Sequence, residues 1–328
     1  MNGSVSIVIA TRDRSGLLER ALEALLRQTW PSDRLEIIVA DNCSKDGTRA
    51  VVAQAAANSN GIRVRYLYVA QPGKSHAVNA ALRLTRGELI ALTDDDVEPD
   101  REWIAALWHA VEDTDSDFVA GRIYPLWEIE PPAWISSAVY GALAVPDNGD
   151  VRLPITADGS MAVMPIGANM AVRATTITRV GGLRTDLGKL AGSLRTGEDH
   201  EFFLRMLRAG CRGVYEPKAV VGHFVPADRL VRRYCRRWLY QNGCDVARIE
   251  RVHARVPFLL GVPRHHWRGL ISEVARSARA TVSRDEARRF ASVVRMLWFA
   301  GYFREAWFGG TRSAAGAFNL AIDSARGR

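Results

Sequence analysis

The sequence lacks the features that mark disulfide-stapled secreted proteins and membrane-spanning chains. It has only four cysteines among 328 residues, and no two of them stand in a Cys-x-x-Cys spacing. Reduced thiols in a cytoplasmic protein are therefore expected. No charged segment followed by an apolar run precedes the first strand-like stretch, and no apolar run reaches the about 18 residues needed to cross a bilayer. We expect neither a signal peptide nor a transmembrane helix.

Lysine is absent from the last third of the chain. From Pro226 to the end there are 20 arginines and 8 acidic residues, whereas the rest of the chain has 24 basic and 28 acidic residues. Such an asymmetry predicts two regions with different partners. The chain as a whole is 48% hydrophobic and 24% charged, as expected of a globular protein.

Short β-branched runs alternate with helix-forming runs in the first part of the chain. Strands are predicted at 5–10, 35–40, 63–69 and 88–93, and helices at about 17–26, 49–57 and 75–84. Ser15 is predicted to be the N-cap of the first helix. The alternation predicts an α/β fold with a mainly parallel central sheet flanked by helices. The pattern weakens over about 123–165, and after Pro226 it predicts an Arg-rich helical region.

Polar clusters follow three of the predicted strands, at residues 11–13, 41–46 and 94–96. Because ligands of parallel sheets bind beyond the carboxyl ends of the strands, these loops should meet at one edge. Three adjacent carboxylates repel unless a cation or solvent neutralises them, and oxygen ligands favour Mg²⁺ or Mn²⁺. Asp94 and Asp96 point to the same side of an extended segment and can share one task. A solvated acidic turn that caps the next helix is the alternative.

Six motifs occur in order along the chain. They are SIVIATRD at 6–13, VADNCSKDGT at 39–48, GKSHAVNAA at 73–81, LTDDD at 92–96, GANMA at 167–171 and GEDHE at 197–201. Together they resemble glycosyltransferase family 2 over about residues 4–240. The resemblance implies a GT-A fold, a nucleotide-diphosphate sugar donor and inversion at the anomeric carbon. We therefore expect a catalytic domain at 1–225, with a nucleotide-sugar half at about 1–122 and an acceptor half at about 123–225, and a helical basic region at 226–328.

The resemblance also implies which residues meet the donor. Thr11, Arg12 and Asp13 would contact the nucleotide, and Asp41 would accept from the imide N–H of the base. That contact favours uracil or thymine, and a UDP-sugar is the expected donor. Lys74 would reach a phosphate as a point charge. A turn-forming aspartate and a solvated lysine are the alternative interpretations of Asp41 and Lys74.

The acidic triplet would hold the metal ion and part of the donor. A divalent cation, Mg²⁺ or Mn²⁺, would balance the departing diphosphate as a Lewis acid. Asp96 is the predicted ligand, Asp94 would bind the ribose or the ion, and Asp95 would lie on the donor side. His223 follows a late predicted strand, where it would be either a further ligand or a structural histidine.

The second acidic motif would serve the acceptor. Asp199 is the predicted general base, since an ionised carboxylate can take the proton of an attacking hydroxyl. Glu198 would orient the acceptor, and helix capping by both residues is the alternative. Trp238 lies in a sequence similar to the family's QxxRW element, but Tyr234 replaces the glutamine, which favours transfer of a single sugar over polymerisation. Trp238 would stack on the acceptor sugar or pack in the core.

The basic C-terminal region interleaves arginines with apolar residues at 255–260, 265–268 and 296–299. Helices of this kind can lie on anionic membranes, which would suit a lipid-linked glycan and a peripheral position on the inner face of the cell membrane. A solvated helical subdomain is the alternative. No recognition motif supports nucleic-acid binding.

Two other functions compete with sugar transfer. A sugar nucleotidyltransferase on a similar scaffold would carry a Gly-rich phosphate loop after the first strand, where this chain has residues 11–14, Thr-Arg-Asp-Arg. A non-catalytic membrane-surface binding protein would not need both acidic motifs in one pocket.

Overall fold

The structure, a computed structural model, describes residues 3–157, 163, 165–187, 197–253 and 257–309. Its strands are β1 (Val5–Thr11), β2 (Leu35–Asp41), β3 (Arg63–Tyr68), β4 (Leu89–Asp94), β5 (Val97–Pro99), β6 (Phe118–Trp127), β7 (Leu153–Ile155), β8 (Met170–Arg173), β9 (Gly213–Val225), β10 (Phe258–Leu259) and β11 (Val262–Pro263). Its helices are α1 (Ser15–Leu25), α2 (Thr48–Ala57), α3 (Lys74–Leu82), α4 (Trp103–Thr114), α5 (Ser137–Leu143), α6 (Ala174–Val180), α7 (Glu198–Arg208), α8 (Arg232–His253), α9 (Arg264–Thr281) and α10 (Glu286–Phe308).

Strands β1 to β9 form one sheet in the order β3-β2-β1-β4-β8-β6-β9-β5, with β7 paired to β9. The first four strands in this order are parallel, as the alternation of strands and helices predicts. Beyond them the sheet is mixed: β8 runs antiparallel to β4 and β6, while β6 and β9 are parallel. The predicted α/β class, the flanking helices and the helical C-terminal region are confirmed.

The predicted strands and helices of the first half begin and end within two residues of the observed ones. The prediction that Ser15 caps the first helix is wrong, because Ser15 is already the first helical residue and Arg14 holds the N-cap position. The backbone N–H of Ser15 instead donates to Asp46 Oδ2 at 2.8 Å. A neighbouring loop thus caps α1, and no local sequence pattern shows that.

Alternate residues of the central strands face opposite sides of the sheet. Ile7 and Ile9 of β1 belong to the core on the side of α1 and α4, whereas Val8 belongs to the core on the side of α3 and α7. Burial on both faces explains why the central strands are almost wholly apolar. The leucines of α1 recur at helical spacing, so Leu18 and Leu22 both point to the sheet.

The C-terminal helices pack closely against one another and against the sheet domain. A β-carbon at Gly243 of α8 would lie 2.1 Å from the carbonyl oxygen of Trp298, and one at Gly301 of α10 would lie 2.0 Å from that of Tyr240. These two glycines therefore let the backbones of α8 and α10 touch. Phe290 of α10 belongs to the same core as α5. No helix in the described part of the chain combines the length and the apolar character needed to cross a membrane.

Candidate active site

A cavity of about 810 Å³ lies beyond the carboxyl ends of the parallel strands. Its lining includes most of the residues predicted for the site: Thr11, Arg12, Lys74, Asp94, Asp95, Asp96, Glu198, Asp199, His223 and Trp238. Asp13 and Asp41 are absent from the lining. Segments far apart in the sequence, from β1, β4, α7, β9 and α8, thus converge on one pocket.

Strand register brings the first of these side chains together. In the parallel ladders Ala10 lies opposite Asp94, and Thr11 lies opposite Asp41. β1 and β4 therefore end at the same edge of the sheet, and the loops that follow them open into the same space. β5 then pairs with β9 so that Val97 faces His223, which brings the histidine beside the acidic triplet.

Asp95 is buried and holds the start of the β1–α1 turn. Its Oδ2 accepts from the hydroxyl of Thr11 at 2.8 Å, and its Oδ1 lies 3.0 Å from Arg14 Nη1. Burial raises the pKa of Asp95 to about 6, against the opposing effect of Arg14. Asp95 therefore links the triplet to the β1–α1 turn at the edge of the cavity.

Asp96 is the most strongly charge-stabilised carboxylate of the triplet. Its Oδ2 lies 3.1 Å from Arg14 Nη1 and 3.5 Å from Arg229 Nη2, and its Oδ1 lies 3.5 Å from His223 Nε2. Burial alone would raise the pKa of Asp96, but the contacts with His223, Arg14 and Arg229 together hold it well below its usual value. Asp96 is therefore ionised and can act as a ligand or a counter-ion.

Lys74 pairs with Asp94 from the first turn of α3. Its Nζ lies 2.6 Å from Asp94 Oδ1. Burial lowers the pKa of Lys74, but the charges of Asp94, Asp199 and Glu198 more than compensate, so that its pKa lies above the usual value. The charges of the two acidic motifs thus act on one ammonium group, which places both motifs around the same space.

Sequence reasoning missed Arg14 and Arg229. With Lys74 they supply three basic side chains to the three carboxylates of the triplet. Three adjacent carboxylates need positive charge nearby. Arg14 directly follows the predicted nucleotide turn at 11–13, so the sequence alone could have identified it as a source of that charge. Arg229 lies in a short helical turn after β9, at residues 227–229, and no local pattern singles it out.

Asp96 and His223 lie close enough together to share a divalent cation. Asp96 Oδ1 and His223 Nε2 are 3.5 Å apart and buried, and protein ligands of such ions lie about 2.0–2.3 Å from the metal. Nδ1 of His223 has no hydrogen-bond partner within the described residues. The orientation of the ring is therefore not fixed by hydrogen bonds at both of its nitrogens. Asp94 is paired with Lys74 instead. Two protein ligands suffice for an ion that takes its others from phosphates and water.

Asp199 lies in the first turn of α7 and is held by Gly167. The backbone N–H of Gly167 donates to Asp199 Oδ2 at 3.0 Å. A β-carbon at position 167 would lie 2.8 Å from both carboxylate oxygens, so only glycine allows this approach. Gly197 precedes the helix with φ +109°, a conformation that favours glycine.

Asp13 and Asp41 organise the neighbouring loop instead of lining the cavity. Asp41 accepts from the Ser44 N–H at 2.8 Å and from the Tyr66 hydroxyl at 2.6 Å. Asp13 Oδ1 accepts from the Lys45 N–H at 2.7 Å. Both carboxylates thus shape residues 41–46, and the expected contact between Asp41 and a base stays a prediction.

Asn42 lines the cavity and was missed, although it belongs to the same motif as Asp41. Its Nδ2 donates to the carbonyl of Gln71 at 2.7 Å, and its Oδ1 accepts from the Gly73 N–H at 2.7 Å. Asn42 therefore fixes the loop that delivers Lys74 to the cavity.

Helices α8 and α10 also line the cavity. Trp238 lines it and also packs against the core, and its stacking on an acceptor sugar stays a prediction. The hydroxyl of Tyr234 donates to the carbonyl of Ala142 at 3.2 Å. The indole N–H of Trp298 donates to Asn242 Oδ1 at 2.9 Å. Aromatic side chains of both helices, among them Tyr234, Trp238 and Trp298, therefore form part of the cavity wall.

Comparison with known proteins agrees with this geometry. A family model described as glycosyl transferase family 2 matches residues 6–130. The succinoglycan biosynthesis protein ExoM of Rhizobium meliloti is 26% identical over 254 residues, which cover 76% of this chain and 76% of that protein. The glycosyltransferase AglE of Haloferax volcanii is 26% identical over 119 residues, or 36% of this chain and 39% of the archaeal protein. The match thus spans well under half the length of the archaeal relative.

Solved structures give the same fold. The mannosyltransferase PcManGT from Pyrobaculum calidifontis, in complex with GDP-Man and Mn²⁺, superposes with a TM-score of 0.62 at 19% identity. The superposition covers 94% of this chain and 88% of that one. At this level of identity the likeness establishes the fold, which is the GT-A fold.

Proposed function

We propose, from the match of residues 6–130 to glycosyl transferase family 2, that this chain moves one sugar from a nucleotide-diphosphate sugar to a glycan or lipid-linked glycan, with inversion. The main support is that one cavity contains both the acidic end of β4 and Asp199. A non-catalytic protein would have no need of that convergence. A nucleotidyltransferase would need a Gly-rich phosphate loop, and the Thr-Arg-Asp-Arg turn at 11–14 does not provide one.

The donor would bind at the β1 and β4 side. Thr11 and Arg12 line this part of the cavity, and Arg14, Lys74 and Arg229 surround the triplet with positive charge. These basic groups suit a diphosphate. When it binds, its oxygens would replace the carboxylates as the partners of the three basic side chains. We retain a UDP-sugar as the favoured donor, with the base imide N–H reaching the loop that Asp41 organises.

Asp96 and His223 would hold the divalent cation, Mg²⁺ or Mn²⁺. When bound, such an ion supplies Lewis-acid stabilisation to the departing diphosphate. Asp94, kept in place by Lys74, would accept from a ribose or sugar hydroxyl, and Asp95 would keep the β1–α1 turn in position beneath the nucleotide.

Asp199 would take the proton of the attacking hydroxyl on Oδ1 while Oδ2 stays bonded to Gly167. The acceptor oxygen then bonds to the anomeric carbon as the bond from that carbon to the diphosphate breaks. Glu198 would orient the acceptor, and Trp238 would stack against its ring. Tyr234, whose hydroxyl donates to the carbonyl of Ala142, stands where a processive synthase has glutamine, and this replacement supports transfer of a single sugar.

The proposed division of the chain follows these roles. Residues 1–122 would bind the donor, residues 123–225 would carry the acceptor machinery, and the helical region 226–328 would add the aromatic wall. We place the protein in the cytoplasm, at the inner face of the cell membrane where a lipid-linked acceptor would be presented.

A thermal-shift panel tests the donor and the metal together. The full chain is heated with UDP, dTDP, GDP and their sugars, with and without Mn²⁺, because a ligand that binds only the folded state raises the Tm. We expect the largest shift with a UDP-sugar plus Mn²⁺. Asp96→Asn should remove the Mn²⁺-dependent part, while the exposed Asp33→Asn serves as a control. If no nucleotide sugar shifts the Tm, the proposal is refuted.

A transfer assay tests the base. Asp199→Asn should keep the donor-induced Tm shift and lower kcat about 10²- to 10⁴-fold, the usual contribution of a positioned base. Retention of full transfer by Asp199→Asn would show that another group takes the proton.

A further inference from the structure

The hairpin between α8 and α9 presents apolar side chains to solvent. Phe258, Leu259 and Leu260 at its turn are 43%, 48% and 71% exposed. At the end of α10, beside this hairpin, Trp307 is 49% and Phe308 is 80% exposed. These five side chains are called the apolar tip. Contiguous exposed apolar groups of this size mark interaction sites far more often than single exposed residues do.

The apolar tip is held in a defined shape. The indole N–H of Trp307 donates to the carbonyl of Leu260 at 2.9 Å, and that of Trp267 donates to the carbonyl of Leu259 at 3.0 Å. Phe303 packs beneath both indoles, with ring centroids 4.7 and 5.1 Å away. Because both indole donors are already satisfied within the protein, they do not oppose entry of the tip into an apolar phase.

Arginines surround the apolar tip, and acids are scarce. Arg264 and Arg268 of α9 and Arg304 of α10 are exposed. Arg251 is also exposed, and its guanidinium donates to the carbonyls of residues 305, 306 and 309, next to the tip. In segments 257–272 and 299–309 the only acidic residue is Glu305, which is buried and paired with Arg248. The surface around the tip is therefore positively charged.

We propose that the apolar tip inserts into the headgroup region of an anionic lipid bilayer, with the surrounding arginines bound to lipid phosphates. Tryptophan, phenylalanine and leucine flanked by arginine are the side chains that stabilise a protein at this interface. Each basic side chain near an anionic surface adds to the attraction. A second protein partner would not require a uniformly basic rim, so charge favours the bilayer.

The apolar tip lies near the cavity, so contact between the tip and a bilayer would bear on the reaction in the cavity. Trp298 lines the cavity, and Trp307 lies nine residues further along the same helix, or about 14 Å at 1.5 Å per residue. A bilayer against the tip would hold the acceptor side of the cavity close to the headgroups. This functional role of membrane docking rests on the proposed sugar transfer, whereas the docking itself does not.

Sedimentation with sucrose-loaded vesicles tests the proposal on the full chain. We expect binding to vesicles of phosphatidylcholine and phosphatidylserine, weaker binding to phosphatidylcholine alone, and a decrease as salt rises. Leu260→Asp should weaken binding about tenfold or more, the factor expected from losing one buried leucine side chain. Arg264→Gln with Arg268→Gln should reduce the preference for anionic vesicles. Val282→Asp is the matched control, since Val282 is 85% exposed and lies outside the tip.

Three results would overturn the proposal: no vesicle binding by the wild type, equal loss for Val282→Asp and Leu260→Asp, or a dimer in solution that Leu260→Asp dissociates while vesicle binding is unchanged. The last would assign the tip to a second copy of the chain. Leu260→Asp must keep any donor-induced Tm shift, which shows that it folds. If the wild type binds vesicles but no nucleotide sugar, the sugar-transfer proposal fails and the docking surface stands.

Discussion

Replacing Gly167 by alanine would perturb the proposed base without removing a charge. The new methyl carbon would lie 2.8 Å from each oxygen of Asp199, whereas ordinary contacts begin at 3.4 Å. The carboxylate must therefore move by at least about 0.6 Å, and its 3.0 Å bond to the Gly167 N–H would be distorted. A displacement approaching 1 Å in a reacting group costs about 10²-fold in rate. We therefore expect Gly167→Ala to lower kcat about 10- to 100-fold.

Steady-state kinetics with the donor identified by thermal shift checks this expectation. The KM for the donor should not change, because Gly167 lies against Asp199 and not against the residues proposed for the nucleotide. Gly16→Ala is the matched control, since nothing lies within 4 Å of its added β-carbon and the site is helical. Loss of donor binding with kcat intact, or a folded Gly167→Ala protein with full kcat, would refute the reasoning about Asp199.

Three further predictions concern stability. Asp46→Ala should cost about 1 kcal/mol at pH 7, because Asp46 accepts from the first N–H groups of α1 and α2. Burial raises the pKa of Asp46, but its hydrogen bonds with Thr48 and Ser15 together outweigh burial and lower the pKa from 3.8 to about 2. The difference in unfolding free energy should therefore be constant above about pH 4 and shrink towards pH 2; a difference that grew on acidification would contradict this. Gly301→Ala should lower the free energy of unfolding by about 1–3 kcal/mol or more, since its β-carbon would lie 2.0 Å from a carbonyl oxygen of α8; a neutral result in urea unfolding would mean that the helices separate easily. Asn169→Leu should cost about 3 kcal/mol or more, because it leaves two carbonyls and the indole N–H of Trp103 unpaired, and an unchanged urea midpoint would show that water replaces these bonds.

The strands and their carboxyl ends could be predicted from the sequence because parallel strands buried on both faces are apolar without interruption. Once β1 and β4 are parallel neighbours, the meeting of Thr11 with the triplet follows from register. In the second half of the sheet the strand before His223 was predicted, but β5 was not. β5 has only three residues and gives no periodic signal, yet it is what brings His223 beside Asp96.

The residues that sequence reasoning missed depend on tertiary contacts. Arg229 shows this best, because it comes from a distant turn and reaches Asp96. The hydrogen bonds of Asp41 with Ser44 and Tyr66 likewise could not be predicted from its position after a strand. Gly167 was recognised as part of a motif, but its close approach to Asp199 becomes visible only when the β8 end and α7 are placed together.

The contact between α8 and α10 also bears on the order in which the chain is completed during translation. α10 leaves the ribosome last among the described helices, yet it supplies Trp298 to the cavity and Phe290 to the core shared with α5. Until then a nascent chain has its nucleotide-facing strands but an unfinished pocket and an uncovered apolar face. Such a chain is prone to association, because exposed apolar surface on incomplete folds drives aggregation.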